Sequence, residues 1–197
     1  MKILIATHNQ DKLREIRVKV ASLDVTILSQ DDFTDFPHVE EDGETLEANA
    51  IKKGLALAKL ADLPALADDT GLEVDALDGA PGVFSARYSG PGATYDSNCD
   101  KLLREMVGVP DEKRTARFRT VLAFVEKENI KLFEGIVEGT ITRERRGSNG
   151  FGYDPVFFAT EKGMTLAEMS LEEKNVISHR GVALEKWVAF LKHDRGL

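Results

Sequence analysis

Apolar residues fall in short runs along this chain, and the spacing within each run points to an element. Ile3-Leu4-Ile5-Ala6 is continuous, which predicts a buried strand over Lys2 to Ala6 that ends at Thr7-His8-Asn9. Leu13, Ile16 and Val20 then recur at three and four, the spacing of one helix face. Val25 to Leu28 reads as a second short strand, and the polar stretch from Asp31 to Gly43, with Pro37 inside it, as a loop. Glu44 to Ala61 predicts a helix with Leu46, Ala50, Leu57 and Leu60 on one side, stopped by Pro64. Ala65-Leu66-Ala67 is a strand that runs directly into Asp68-Asp69-Thr70-Gly71.

The second half alternates differently. Leu72 to Leu77 suggests a strand, and Gly79 to Gly92, rich in glycine and proline, a long irregular loop. Thr94 opens a helix through Cys99, Leu102, Leu103 and Met106. Ala116 to Glu126 and Lys131 to Thr142 read as paired strands turned near Glu128-Asn129. A glycine-rich loop from Arg145 to Asp154 leads to a strand, Pro155 to Ala159. Ser170 with Glu173 spells a capping box before a helix, and the last helix carries Leu184, Trp187, Val188 and Leu191. Strands alternating with helices, then a hairpin, then helices make an α/β chain with a mixed sheet. No repeat or linker divides residues 1–197, so a single domain is expected.

Composition narrows the setting. The 197 residues are 42% apolar and 7% aromatic, enough for a core without disulfide or structural metal, and far from a disordered composition. Lone Cys99 excludes a disulfide framework and a cysteine-rich zinc site, and fits a reducing cytoplasm. With 26 basic against 34 acidic residues the net charge is -8, which argues against a nonspecific nucleic-acid binder. The apolar run Ile3–Ala6 is shorter than the ~7–15 residues of a signal-peptide core. No run reaches the ~18 apolar residues of a membrane span.

Four polar clusters offer chemistry. Thr7-His8-Asn9-Gln10-Asp11-Lys12 sits where a helix begins, and first-turn N–H groups can take an anion. Lys12 opposes the helix dipole there, a conflict that a phosphate would remove; an ordinary N-cap with a solvated lysine is the plainer alternative. Asp68 and Asp69, adjacent and directly after an apolar strand, suit a hard cation or a carboxyl with a raised pKa; a solvated turn is the alternative. Glu40-Glu41-Asp42, with Glu44 and Glu47, is a solvated acidic loop unless it supplies further Mg²⁺ ligands. Last, Phe151-Gly152-Tyr153-Asp154 with Lys174, Ser178, His179 and Arg180 combines stacking faces, an acceptor and donors, the inventory for holding a purine ring. A tight turn with exposed aromatics is the alternative there. Gly-x4-Gly-Lys-Ser/Thr is absent, and Gly147, Gly150 and Gly152 precede a Pro-led strand and open no helix, so dinucleotide fingerprints fail.

Taken in order, these clusters resemble the ITPase-like family of non-canonical purine NTP pyrophosphatases. Ser/Thr-x-Asn-x-x-Lys stands as Thr7 to Lys12, Asp-Asp-Ser/Thr-Gly as Asp68 to Gly71, followed by Ser85-Ala86-Arg87-Tyr88, Phe151 to Pro155 and Ser178-His179-Arg180. His8 departs mildly, at a position that is often Gly. The resemblance implies an elongated, twisted mixed sheet flanked by helices, two lobes with a central cleft, and a cytoplasmic homodimer. It implies Mg²⁺-dependent hydrolysis of dITP, ITP or XTP to monophosphate and pyrophosphate, cleansing the nucleotide pool of deaminated purines. By the family pattern Thr7, His8, Asn9, Gln10, Asp11 and Lys12 hold the phosphate tail, with Lys174 as a further phosphate contact. Glu40 and Asp69 bind Mg²⁺, Asp69 deprotonates the attacking water, and Thr70 positions substrate beside it. Phe151, Gly152, Tyr153 and Asp154 receive the base, with His179 and Arg180 donating to its oxo group. The rivals are a Maf-like pyrophosphatase acting on pyrimidine or modified nucleotides and a non-catalytic nucleotide sensor.

Overall fold

A computed structural model describes residues 1–7, 9–29, 32–33 and 39–196. In chain order the α-helices and strands are β1 (Lys2–Ile5), α1 (Gln10–Val20), β2 (Thr26–Ser29), α2 (Leu46–Ala61), β3 (Ala65–Val74), β4 (Pro81–Gly82), α3 (Tyr95–Glu105), β5 (Thr115–Glu126), β6 (Asn129–Ile141), β7 (Phe157–Ala159), β8 (Met164–Thr165), α4 (Leu171–Ile177) and α5 (His179–Arg195). The strands form a mixed sheet in the order β2-β1-β3-β5-β6-β7-β8, with β4 on β3. β1 lies parallel to β2 and β3, whereas β3–β4, β6–β7 and β7–β8 are antiparallel. The mixed α/β sheet expected from the sequence is therefore present.

The chain divides into two compact units, both discontinuous in sequence. The first comprises 1–69, 120–135 and 180–197; the second, 70–119 and 136–179.

In the first unit the period of two along each strand sorts the core into two layers. Ile3, Ile5, Leu66, Leu122 and Phe124 meet Leu13, Ile16 and Val20 of α1 and Ala183, Leu184, Trp187 and Leu191 of α5. Their alternates Leu4, Ala6, Ala65, Ala67 and Val125 meet Leu57 and Ala58 of α2. Strands covered on both faces explain why Ile3–Ala6 and Ala65–Ala67 read as unbroken apolar runs. Contact is close enough that a Cβ on Gly54 of α2 would come within 2.7 Å of Val125.

In the second unit α3 buries Cys99, Leu102 and Met106 against Leu72, Val74, Phe118, Tyr153 and Phe157. Arg114 is buried there, donating to the carbonyls of Met106 (2.8 Å), Ile141 (2.6 Å) and Thr142 (2.7 Å).

Several boundaries moved for physical reasons. β3 runs unbroken from Ala65 to Val74, so Asp68 to Gly71 lie inside a strand, with no turn after it. Helix α2 begins at Leu46 because Thr45 Oγ1 accepts from the Ala48 N–H and so takes the N-cap position. Leu60, placed on the apolar side by spacing, is 53% exposed. Asp154–Val156 forms a 3-10 turn and shortens the predicted strand to Phe157–Ala159. The Ser170–Glu173 capping box closes in both directions, at 2.9 and 3.2 Å. The predicted loop Asp31–Gly43 falls partly outside the described residues, and His8 wholly so.

Candidate active site

The first unit assembles a chain of buried charges. Asn9 caps α1 with its Oδ1, accepting from the N–H groups of Asp11 (2.9 Å) and Lys12 (3.3 Å), while Thr7 Oγ1 accepts from Asn9 N–H (3.0 Å). Those amides are thus used within the turn, as the N-cap reading has it. Gln10 is exposed, and Asp11 pairs with Arg14. What relieves Lys12 of its unfavourable place on the dipole is a carboxylate: its Nζ lies 2.8 Å from Asp68 Oδ2. Asp68 also faces Arg180 at 3.4 Å, and Arg180 turns its other amine to Glu15 at 2.7 Å. Glu15, Asp68 and Arg180 are each about 2–3% exposed. Burial alone would raise the Asp68 carboxyl, but Lys12, Arg180 and Lys53 outweigh it and hold it well below the usual carboxylate range. Burial lowers the Lys12 ammonium, helped by Arg180 and Lys53 and opposed by Asp68.

Asp69 points into a different environment. Its Oδ2 accepts from Asn49 Nδ2 at 3.0 Å, and its Oδ1 lies 4.0 Å from Lys53 Nζ. Burial pushes its carboxyl above the usual range; Glu41 adds to this, and Lys53, the Asn49 bond and Lys12 pull the other way. Lys53, itself buried, donates to Glu41 (2.6 Å) and to the Asp68 carbonyl (2.5 Å). Burial would lower its ammonium, yet the carboxylates of Asp68, Glu41 and Asp69 raise it. Two neighbouring aspartates are driven apart, one firmly ionised and one with raised proton affinity, the division of labour expected of acid–base sites.

Carboxylate oxygens from Asp69 and Glu41 thus converge on one ammonium, and Glu40 precedes them, exposed. Among the described residues no group of three or more His, Cys, Asp or Glu side chains gathers as a metal cage. A pair of carboxylates suits Mg²⁺, which takes one or two from the protein and fills its shell with water and phosphate.

The second unit holds the aromatic cluster. Phe151 stands on the glycine-rich loop, its N–H bonded to Asp154 Oδ2 at 2.9 Å. Asp154 and Lys174 form a buried pair at 2.7 Å, and the Lys174 ammonium lies 4.5 Å over the Phe151 ring. Gly150, at φ 74°, leaves no room for a side chain, since a Cβ would come within 2.0 Å of Asp154 Oδ2. Tyr95 tilts against Phe151 with ring centres 5.9 Å apart. Gly152, at φ 63°, accepts at its carbonyl from the Cys99 thiol (3.3 Å). Tyr153, expected to offer a stacking face, is instead core: it is 4% exposed and donates its hydroxyl to the Ser85 carbonyl at 2.9 Å. His179 stacks on Phe118 at 4.6 Å, and Thr70 is half-buried in β3.

So Thr7, Asn9, Lys12, Asp69 and Arg180 come together in the first unit, and Phe151, Gly152, Asp154 and Lys174 in the second. Arg180 lies away from its expected company and joins the acids of the first unit, whereas Lys174 stands in the aromatic cluster with which the sequence groups it. Lys53, Asn49, Glu15 and Tyr95 were missed. Asn49 and Lys53 had a legible signal, because they recur with Leu46, Ala50 and Leu57 on the buried face of α2.

Comparisons with known proteins place the whole chain. The model of the Ham1 family matches residues 3–190. A dITP/XTP pyrophosphatase from Geobacter sulfurreducens is 53% identical over 196 residues, spanning 99% of this chain and 96% of its own. One from a Thermoanaerobacter species is 50% identical over 186 residues, 94% of each chain. Among solved structures, a HAM1 protein from Coxiella burnetii superposes with a TM-score of 0.90 at 43% identity, covering 97% of this chain and 98% of that one. Staphylococcus aureus Ham1 gives 0.89 at 38% identity, over 98% and 100%. With the family model, the relatives and the solved folds all matching over nearly the whole length, this chain belongs to the Ham1 family.

Proposed function

We propose that this chain is a nucleoside-triphosphate pyrophosphatase that hydrolyses dITP, ITP and XTP or dXTP to the monophosphate and pyrophosphate, clearing deaminated purines from the nucleotide pool. The names of its relatives support the reading. The observation that carries it is Asp69, a buried carboxylate with raised proton affinity, steadied by Asn49 and set beside Lys53.

In the reaction Asp69 takes a proton from a water whose oxygen bonds to the α-phosphorus. The bond from that phosphorus to the bridging oxygen breaks, and pyrophosphate leaves with the bonding pair. Lys12 and Lys53 offer positive charge to the phosphates, and Arg180 keeps Asp68 in place for Lys12. Thr70, next to Asp69 in β3, positions the substrate. Asp69 and Glu40 would hold Mg²⁺, whose charge would offset that of the phosphate oxygens.

The base is read by the second unit. Phe151 supplies the stacking face, and Lys174, fixed by Asp154, supplies N–H donors and no acceptor. A donor-only group donates to the oxo group of hypoxanthine or xanthine and opposes the amino group of adenine, a mismatch worth roughly 10⁴-fold or more when buried. Residues 1–197 act as one domain, as the family match over 3–190 supports. The reading includes a cytoplasmic homodimer, testable by sedimentation, and no helix among the described residues is long and apolar enough to cross a membrane.

The test is a panel of dITP, XTP, dATP, dGTP and dTTP with Mg²⁺, quantifying monophosphate and pyrophosphate. Release of pyrophosphate from dITP and XTP well above dATP and dTTP is expected. No release from dITP, or orthophosphate in place of pyrophosphate, contradicts the reading.

A further inference from the structure

The loop that carries Phe151 is exposed from Arg145 to Gly150, yet it is tied down at both sides. Toward β8, the N–H groups of Ser148 and Asn149 both donate to the Ala167 carbonyl (3.1 and 3.0 Å), and Asn149 Nδ2 donates to the Met169 carbonyl (3.0 Å). Gly147 lies so near this segment that a Cβ would come within 2.3 Å of the Ala167 backbone. Toward α3 one attachment is an arginine. Arg145 pairs with Asp96, donates to the Asp96 carbonyl at 2.7 Å and to Asp100 Oδ1 at 2.7 Å. Asp96 and Asp100 are one turn apart on α3, so a single planar guanidinium spans both. The same helix face presents Cys99 to the Gly152 carbonyl and, next to Asp96, the Tyr95 ring to Phe151.

We propose that Arg145, by gripping Asp96 and Asp100, is a positioning residue that holds α3 and its Tyr95 against Phe151, and so sets how tightly the enzyme holds the base of its substrate. The inference rests on the reading of Phe151 as the stacking face. Three attachments on one helix face hold this loop, two of them at Phe151 and Gly152 and the third at Arg145. Loosening the clamp therefore weakens recognition of the base and leaves the chemistry at Asp69 alone. The effect is moderate, because exposed pairs contribute little singly: the two together correspond to a rise in KM of about 3- to 10-fold.

The experiment measures kcat and KM for dITP in the wild type, Arg145→Ala, the pair Asp96→Asn with Asp100→Asn, Phe151→Ala, and Arg145→Ala combined with Phe151→Ala. Arg145→Ala and the double aspartate variant should each raise KM by about 3- to 10-fold with kcat within about twofold, and Arg145→Lys should recover part of the loss. In the Phe151→Ala background, Arg145→Ala should add less than about twofold, since its target is gone. An unchanged KM in both clamp variants overturns the proposal, as does an equal rise with and without Phe151, or a loss confined to kcat. Absence of dITP turnover in the wild type marks instead the failure of the functional reading, and with it the premise of the clamp.

Discussion

Replacing Asp68 by asparagine tests whether the buried charges of the first unit are as interdependent as they look. The substitution keeps the shape and removes one negative charge that faces Lys12 at 2.8 Å and Arg180 at 3.4 Å. Breaking a buried pair typically costs about 3–5 kcal/mol, because the partner stays desolvated and unmatched. Arg180 retains Glu15 at 2.7 Å, and Lys12 has 18% of its side chain exposed and can turn toward water. The loss should therefore lie near the lower figure, about 3 kcal/mol, or a fall in Tm of about 6–12 °C for a chain of this size. Urea unfolding at pH 7 should show the midpoint moving down at constant slope. Acid provides the second arm. The folded Asp68 carboxyl is held below its usual value, so its stabilisation is complete above the unfolded pKa of about 3.9 and fades as pH falls from there toward the folded value. The gap between wild type and variant should stay constant from pH 7 to about 5 and narrow below about 4. A loss under about 1 kcal/mol at pH 7, or a gap that widens in acid, would refute the reasoning.

Other substitutions probe the chemistry. Asp69→Asn should lower kcat by about 10²–10⁴-fold while calorimetry shows nucleotide binding within a few-fold of wild type. It should not lower Tm at pH 7: a raised folded pKa gives stability that is lost as pH rises, so the ionised carboxylate costs stability there. Lys53→Met removes a cation that holds the Asp69 carboxyl down, and should move the acid limb of the pH–kcat profile to higher pH; a shift to lower pH would assign the limb elsewhere. Phe151→Ala should raise KM for dITP about tenfold or more through lost stacking, with turnover little changed.

The elements were largely legible because they follow local rules. The α1 stripe, the long hairpin and the Ser170–Glu173 box each depend on residues within a few positions of one another. What sequence concealed was long-range charge matching. Asp68-Asp69 resembles a turn only while its partners are out of sight; Lys12, Lys53 and Arg180 come from α1, α2 and α5 and let two acids sit inside a strand. Motif spacing likewise grouped Arg180 with His179, although Glu15 and Asp68 draw Arg180 into the other unit. Tyr153 misled for a similar reason: an aromatic in a glycine-rich loop looks available for stacking until the Ser85 carbonyl, far along the chain, takes its hydroxyl.

The central claim is that water attacks the α-phosphorus with Asp69 as base. Hydrolysis of dITP in ¹⁸O-labelled water, with products resolved by mass spectrometry, tests it most directly. One label in the phosphate of dIMP and none in pyrophosphate is predicted. Label in pyrophosphate or orthophosphate would place the attack on another phosphorus and contradict the account.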